Sequence, residues 1–133
     1  MFGKENKPKS RIDSLIGAGT IIEGSVSFSG GLRIDGEVRG NVRAIEGQAG
    51  MLVVSEHARI DGEVNVSHLV VNGAINGPVL SSEFLELQSR ARVTGDVEYN
   101  TIEMQLGAVV QGRLVHQGSA ASKTVELKLA TSN

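Results

Sequence analysis

A hydrophobic repeat with a period near 17 residues runs through most of this chain. Self-similarity at a fixed period marks a stacked architecture, in which no single unit can bury its apolar face alone. Leu15, Leu32, Leu52, Leu69, Leu85 and Ile102 lie 17, 20, 17, 16 and 17 residues apart. Two residues on, a second ladder runs Gly17, Ile34, Val54, Val71, Leu87, Met104. Four further on, a third runs Ile21, Val38, Ala58, Ile75, Ala91, Ala108. The one long step holds Ile45-Glu46-Gly47-Gln48-Ala49-Gly50, which predicts a small loop insertion.

Within a repeat the apolar residues fall at every second position, as in Leu32, Ile34, Val38, Val42 or Leu85, Leu87, Val93, Val97. That is strand alternation, and helical spacing fits nowhere in the repeat region. Strands of about 4–6 residues are closed by the word aliphatic–polar–Gly–x–aliphatic. It recurs at Ile34-Asp35-Gly36-Glu37-Val38, Ile60-Asp61-Gly62-Glu63-Val64, Val71-Asn72-Gly73-Ala74-Ile75 and Val93-Thr94-Gly95-Asp96-Val97. Three short strands per period make one winding of a three-sided parallel β-solenoid. About six windings, stacked roughly 4.8 Å apart, give a body on the order of 25–30 Å long. The loose inward spacing, unlike the strict hexapeptide of left-handed solenoids, favours a right-handed β-helix.

Composition agrees with a core of stacked aliphatics. Hydrophobic residues make up 40% of the chain, yet aromatics only 3%, and 17 glycines against 2 prolines say that it turns often. There is no cysteine, so disulfides and thiolate metal sites are excluded and a reducing cytoplasm is compatible. No run of about 18 apolar residues and no secretory signal is read. The net charge of −2 argues against nucleic acid as a partner. The expected organisation is a basic flexible tail over 1–13, an all-β single domain over 14–117 and a polar tail over 118–133, with both tails disordered.

The chain resembles the bactofilins, bacterial cytoskeletal proteins. The resemblance rests on Ile16-Gly17-Ala18-Gly19-Thr20-Ile21-Ile22-Glu23-Gly24, on Leu32-Arg33-Ile34-Asp35-Gly36-Glu37-Val38-Arg39-Gly40 and on Leu69-Val70-Val71-Asn72-Gly73. It covers roughly residues 15–116, and the layout of tail, repeats and tail matches too. It implies a right-handed β-helix and nucleotide-independent, non-polar filaments made by end-to-end stacking. It also implies membrane association through the N-terminal tail and scaffolding of cell-wall enzymes or cell shape.

A physical argument for assembly stands beside the resemblance. Each end of a solenoid exposes a backbone edge and a core cross-section, which are templates for another chain unless capped. No cap is read at either end. The first winding carries Leu15, Ile16, Ile21 and Ile22, and the last carries Ile102, Met104, Leu106, Val109, Val110, Leu114 and Val115. These eleven residues are the expected polymerisation interface. In the N-terminal tail, Met1 and Phe2 beside Lys4, Lys7, Lys9 and Arg11 form the expected membrane-targeting element. Each basic residue near an anionic leaflet contributes about 1 kcal/mol, and many tails on one filament add avidity. The expected location is peripheral, at the inner face of the cytoplasmic membrane. The alternating segment Thr124-Val125-Glu126-Leu127-Lys128-Leu129 suits an added strand, a partner site or disorder, and disorder is the expectation.

No catalytic, cofactor or metal site is read. His57 and His68 flank inward positions and should both point outward, and His116 also reads as a solvated surface residue, whereas an acyltransferase solenoid needs a histidine base in a groove. Asp35, Glu37, Asp61, Glu63, Asp96 and Glu98 are interleaved with Arg33, Arg39, Arg43, Arg59, Arg90, Arg92 and Arg113, which reads as a solvated face. Gly17-Ala18-Gly19 leads into strand residues and not into a Lys-Ser/Thr helix, so no nucleotide is expected. The expected partners are further copies of this chain, the membrane surface and unknown cell-wall or cell-shape proteins. The alternatives are a monomeric solenoid adaptor and a small hexapeptide-type acyltransferase.

Overall fold

The computed structural model describes residues 11–117. Most of the N-terminal tail and all of the C-terminal one, with the disorder expected of them, fall outside that range. The described chain holds fifteen short strands and no helix, and every strand pair is parallel. Side one stacks β1 (Ser14–Ile16), β4 (Gly30–Ile34), β7 (Gly50–Val54) and the second halves of β9 (Val64–Val71), β11 (Val79–Leu87) and β13 (Val97–Met104). Side two stacks β2 (Ile21–Glu23), β5 (Glu37–Arg39), β8 (Arg59–Asp61), β10 (Ala74–Asn76), β12 (Arg92–Thr94) and β14 (Val109–Gln111). Side three stacks β3 (Val26–Phe28), β6 (Val42–Ala44), the first halves of β9, β11 and β13, and β15 (Leu114–His116). The body is therefore a parallel β-solenoid of about 6 turns. Because β9, β11 and β13 bend round the third corner unbroken, sides one and three form a 9-stranded sheet and side two a 6-stranded one.

Inward side chains form continuous columns. On side one, Leu32, Leu52, Leu69, Leu85 and Ile102 stack in register, and so do Ile16, Ile34, Val54, Val71, Leu87 and Met104. Side two carries Ile22, Val38, Ile60, Ile75, Val93 and Val110. Side three carries Val26, Val42, Val64, Val79, Val97 and Leu114. The middle members are fully enclosed. Burying each such side chain contributes about 1.5–3 kcal/mol, and β-branched residues suit the pleated walls. The expected loop insertion is present: β6 ends at Ala44, β7 begins at Gly50, and Gln48 N–H donates to Ile45 O (3.0 Å) across the intervening turn.

Two of the sequence ladders need correction. In the first winding Ser14 pairs with Leu32 and Ile16 with Ile34. Leu15 therefore sits beside Arg33 on the outside, and Gly17 lies beyond the strand. The third ladder mixes two kinds of position, because the first corner comes in two lengths. Residues 17–20, 55–58, 88–91 and 105–108 make four-residue turns closed by bonds such as Ala58 N–H to Ser55 O (3.0 Å). Asp35-Gly36 and Asn72-Gly73 cut the same corner with two residues. Ala58, Ala91 and Ala108 are therefore corner residues, and the strand column continues two positions later at Ile60, Val93 and Val110. Ile21 belongs to the outer row, paired with Glu37. A short corner lies tight under the long turn before it. A Cβ on Gly73 would stand 2.7 Å from Ala58 O, so only glycine fits.

Candidate functional site

Sequence places apolar residues in the end windings, and the fold leaves the strand edges there open. Among the described residues β1, β2 and β3 each have a single partner, as do β14 and β15. Among the described residues no strand lies beyond residues 101–104 of β13, because β15 pairs only with Val97, Glu98 and Tyr99. The N-terminal tip thus presents Ile16, Ile22 and Val26, packed against the core but partly open. The C-terminal tip presents Ile102, Met104, Val110 and Leu114. The exposed large hydrophobics of the described chain are Ile12, Leu15, Ile21, Ile45, Met104, Leu106, Leu114 and Val115. All but Ile45 lie at the tips, so exposed apolar surface is concentrated where backbone edges are free.

Ten of the eleven residues expected at the interface divide into two sets. Ile16, Ile22, Ile102, Met104, Val110 and Leu114 head inward columns and form the two cross-sections. Leu15, Ile21, Val109 and Val115 lie in outward rows and form a collar round the tips. Leu106, 95% exposed, sits on a corner turn of the last winding. One outer row reads Ile21, Glu37, Arg59, Ala74, Arg92, Val109 along side two. Aliphatics thus stand at its ends where interior windings carry charge. The sequence reading missed Ile12 and Val26. Of the membrane-targeting residues, Met1, Phe2, Lys4, Lys7 and Lys9 lie outside the described range. Arg11 is exposed and pairs with Asp13 (Nε–Oδ1 3.0 Å).

Along the sides, charges pair with one another. Arg33 Nε lies 2.9 Å from Asp35 Oδ1, Arg59 Nε 3.1 Å from Asp61 Oδ1, and Arg39 bridges Glu37 (2.9 Å) and Glu23 (3.1 Å). Such exposed pairs add little to stability, because water and salt screen them. Polar side chains also link windings: Asn41 Oδ1 accepts Glu63 N–H (2.9 Å), Asn72 Oδ1 accepts Arg90 N–H (2.9 Å) and Asp96 Oδ1 accepts Arg113 N–H (3.0 Å). Four aspartates are held below the ordinary carboxylate range. The largest cause is the Gly31 N–H for Asp13, the Ser55 hydroxyl for Asp35, the Asn76 amide for Asp61 and the Arg113 N–H for Asp96. A depressed folded value means stability that is complete above the unfolded value and is lost as pH falls through the folded one. The melting temperature should therefore be level from neutrality to about pH 5 and fall below about pH 4. Asp61→Asn and Asp96→Asn together should flatten that fall. A melting series that stays level down to about pH 2.5 would remove these bonds from the account.

The histidines correct one expectation. His57 is exposed, as expected, 4.0 Å from Glu56. His68 lies on an outward row but keeps only 15% of its side chain exposed. The register shift between Ser81 and Phe84 lets Glu83 approach it, with Oε1 3.6 Å from Nε2. Its Nδ1 is 3.0 Å from Ser67 Oγ. A serine, histidine and glutamate in line suggest a nucleophile set, but the serine is committed elsewhere. Ser67 Oγ accepts Gly50 N–H (2.9 Å) and donates to Gly50 O (3.0 Å), and the residue is buried. Its hydroxyl closes the seam between windings. His116 lies in the inward row above Tyr99, ring centroids 5.5 Å apart. Among the described residues no group of three or more His, Asp or Glu is placed to hold a metal, and no helix is long and apolar enough to cross a membrane.

A family model described as "Bactofilin: Polymer-forming cytoskeletal" matches residues 14–115, which takes in nearly the whole solenoid. The chain belongs to the bactofilin family. It is 24% identical over 110 residues to bactofilin BacO of Myxococcus xanthus (strain DK1622), covering 83% of this chain and 84% of BacO. It is 25% identical over 112 residues to bactofilin BacP of the same organism, covering 84% of this chain but only 45% of BacP. No solved structure matches. Membership makes this bactofilin one of a polymer-forming cytoskeletal family.

Proposed function

We propose that this bactofilin is a non-enzymatic scaffold that assembles end to end through its two tips, without nucleotide. One observation carries the reading: the exposed apolar side chains gather at the tips, on open strand edges, while the sides between them carry paired charges. An edge that offers both unpaired backbone groups and an aliphatic cross-section selects a second winding of the same kind. Met1, Phe2, Lys4, Lys7, Lys9 and Arg11 hold the polymer at the inner face of the cytoplasmic membrane, where repetition makes weak single contacts strong. The charged sides then remain free to recruit cell-wall or cell-shape factors.

The test is electron microscopy and sedimentation of the purified full chain with no nucleotide present. Filaments one solenoid wide are expected. A chain that sediments as a single copy at high micromolar concentration overturns the proposal. In a second arm the polymer is pelleted with anionic liposomes, and deletion of residues 2–9 should abolish most co-sedimentation. Equal pelleting of both forms rejects the membrane role alone.

A further inference from the structure

Side one differs from the other two sides on its outer surface. Counting windings from Ser14, one outward row runs Leu15, Arg33, Val53, Val70, Glu86, Glu103. Beside it a second runs Met51, His68, Phe84, Thr101 from the third winding to the sixth. Met51, Val53, Val70 and Phe84 are half-buried and adjoin one another, so the middle of this face is apolar. In the same interior windings, side two carries Glu37, Arg59 and Arg92 in its outer row, and side three Arg43 and Glu98. Charge in the Val53 row stands on either side of the valines and is of opposite sign there. Arg33 uses Nε on Asp35 (2.9 Å), which leaves both Nη groups for another acceptor. Glu86 accepts from the Gln88 and Gln105 amides (3.1 and 3.3 Å), and among the described residues it has no cationic partner.

We propose that side one pairs with the same side of a second copy, turned antiparallel about a two-fold axis that runs along the strands between the third and fourth windings. A two-fold contact needs a surface that complements itself. This rotation reverses the order of the windings and leaves each row facing itself. Val53 then meets Val70 of the second copy and Arg33 meets its Glu86, each contact being made twice. In the neighbouring row Met51 meets His68. Phe84 faces the stretch where the backbone of Arg11 and Ile12 crosses Gly31. The outermost pair, Leu15 with Glu103, falls at the wet rim. The first corner fits the same axis. Its long turn 55–58 faces the short corner Asn72-Gly73 of the second copy, and 88–91 faces Asp35-Gly36, so projecting turns meet recesses. Moving the axis onto the third winding would set Arg33 over Val70 and the turn 55–58 against itself. The face is about 17 Å wide and about 25–30 Å long, on the order of 450 Å² per copy. That is short of the roughly 800 Å² per partner of a stable pair, so single copies pair only at high concentration. Where the tips also assemble, repetition strengthens the contact and ties one filament to a second, each still one solenoid wide. Only that effect rests on the function proposed above.

The contact is read with the tips silenced, in the full chain carrying Ile22→Arg and Leu114→Arg. Sedimentation equilibrium up to about 1 mM should show monomers in exchange with dimers. Methyl NMR of the same chain should show Val53 and Val70 shifting with concentration, while Val38 and Val97 in the core hold still. Arg33→Glu or Glu86→Arg alone sets like charges together twice and should weaken pairing at least tenfold. Both changes in one chain restore opposite charges across the axis, and the dimer should return to within about threefold of its parent. The melting temperature of each variant reports its fold separately. A chain that stays single at about 1 mM overturns the proposal. So do methyl shifts confined to other faces, and a double reversal that pairs as weakly as the single ones. An unmodified chain that forms no filaments but gives the expected results rejects the tips and leaves this face standing.

Discussion

Alanine at Gly62 should cost the solenoid about 3 kcal/mol or more, whereas alanine at Gly24 should cost about 1 kcal/mol. The two glycines occupy the same corner in different windings. Gly24, Gly40, Gly62, Gly77, Gly95 and Gly112 stack there, and from Gly40 onward each lies against the carbonyl of the one before. A Cβ on Gly62 would stand 2.5 Å from the Gly40 carbonyl carbon and closer still to its oxygen. Both are backbone atoms pinned by the ladder, so neither can give way cheaply. Gly24 opens the column, and a Cβ there meets nothing within 4 Å. Both residues have positive φ, 135° and 157°, so both substitutions strain the backbone, Gly24 the more of the two, and the backbone conformation does not explain a larger cost at Gly62. The clash remains. For a body of about 100 residues, 3 kcal/mol is on the order of 10–20 °C of melting temperature. Thermal melting followed by circular dichroism gives both shifts, and equal shifts would mean that the corner can relax and that close stacking does not dictate glycine there.

The same corner explains how much of the fold could be read in advance. The word aliphatic–polar–Gly–x–aliphatic was legible, but it serves two corners. Ile60-Asp61-Gly62-Glu63-Val64 turns from side two to side three, while Ile34-Asp35-Gly36-Glu37-Val38 turns from side one to side two. Aligning one on the other assigns a single spacing to two different bends. The mixture of long and short first corners then shifts Ala58, Ala91 and Ala108 out of the strand column. The first corner has two residues at Asp35-Gly36 and Asn72-Gly73 and four at 17–20, 55–58, 88–91 and 105–108, so no single spacing describes it. The wall columns survived because leucine, isoleucine and valine recur at inward positions whichever corner follows.

The candidate site was legible as a list but not as a surface. Apolar residues in the first and last repeats signal open tips, yet Leu15 and Ile21 read as inward only while the register of the first winding was one residue off. His68 was missed for a different reason. Its burial comes from the irregularity between Ser81 and Phe84, one winding away, which no local pattern announces. In each case an adjacent winding decides the environment of the residue.

Charge placed in one tip at a time should break assembly and reveal its polarity. Ile22→Arg sets a guanidinium in the N-terminal cross-section, and Leu114→Arg does the same at the C-terminal one. An unpaired charge in a dry contact costs about 3–5 kcal/mol, which weakens that contact at least a hundredfold at about 1.4 kcal/mol per factor of ten. Filaments should vanish in both variants, and a variant still forming them as readily as the parent chain would reject that tip as a contact. What is left behind depends on symmetry. If like tips meet, each variant keeps one good contact with its own kind and stops at a dimer. If unlike tips meet, each variant alone stays monomeric, and mixing the two gives a single heterodimer through the remaining sound pair. Sedimentation of the variants, alone and mixed, separates these outcomes. The resemblance to non-polar filaments predicts dimers from each variant. The described tips give that outcome a physical basis, since each presents an aliphatic cross-section.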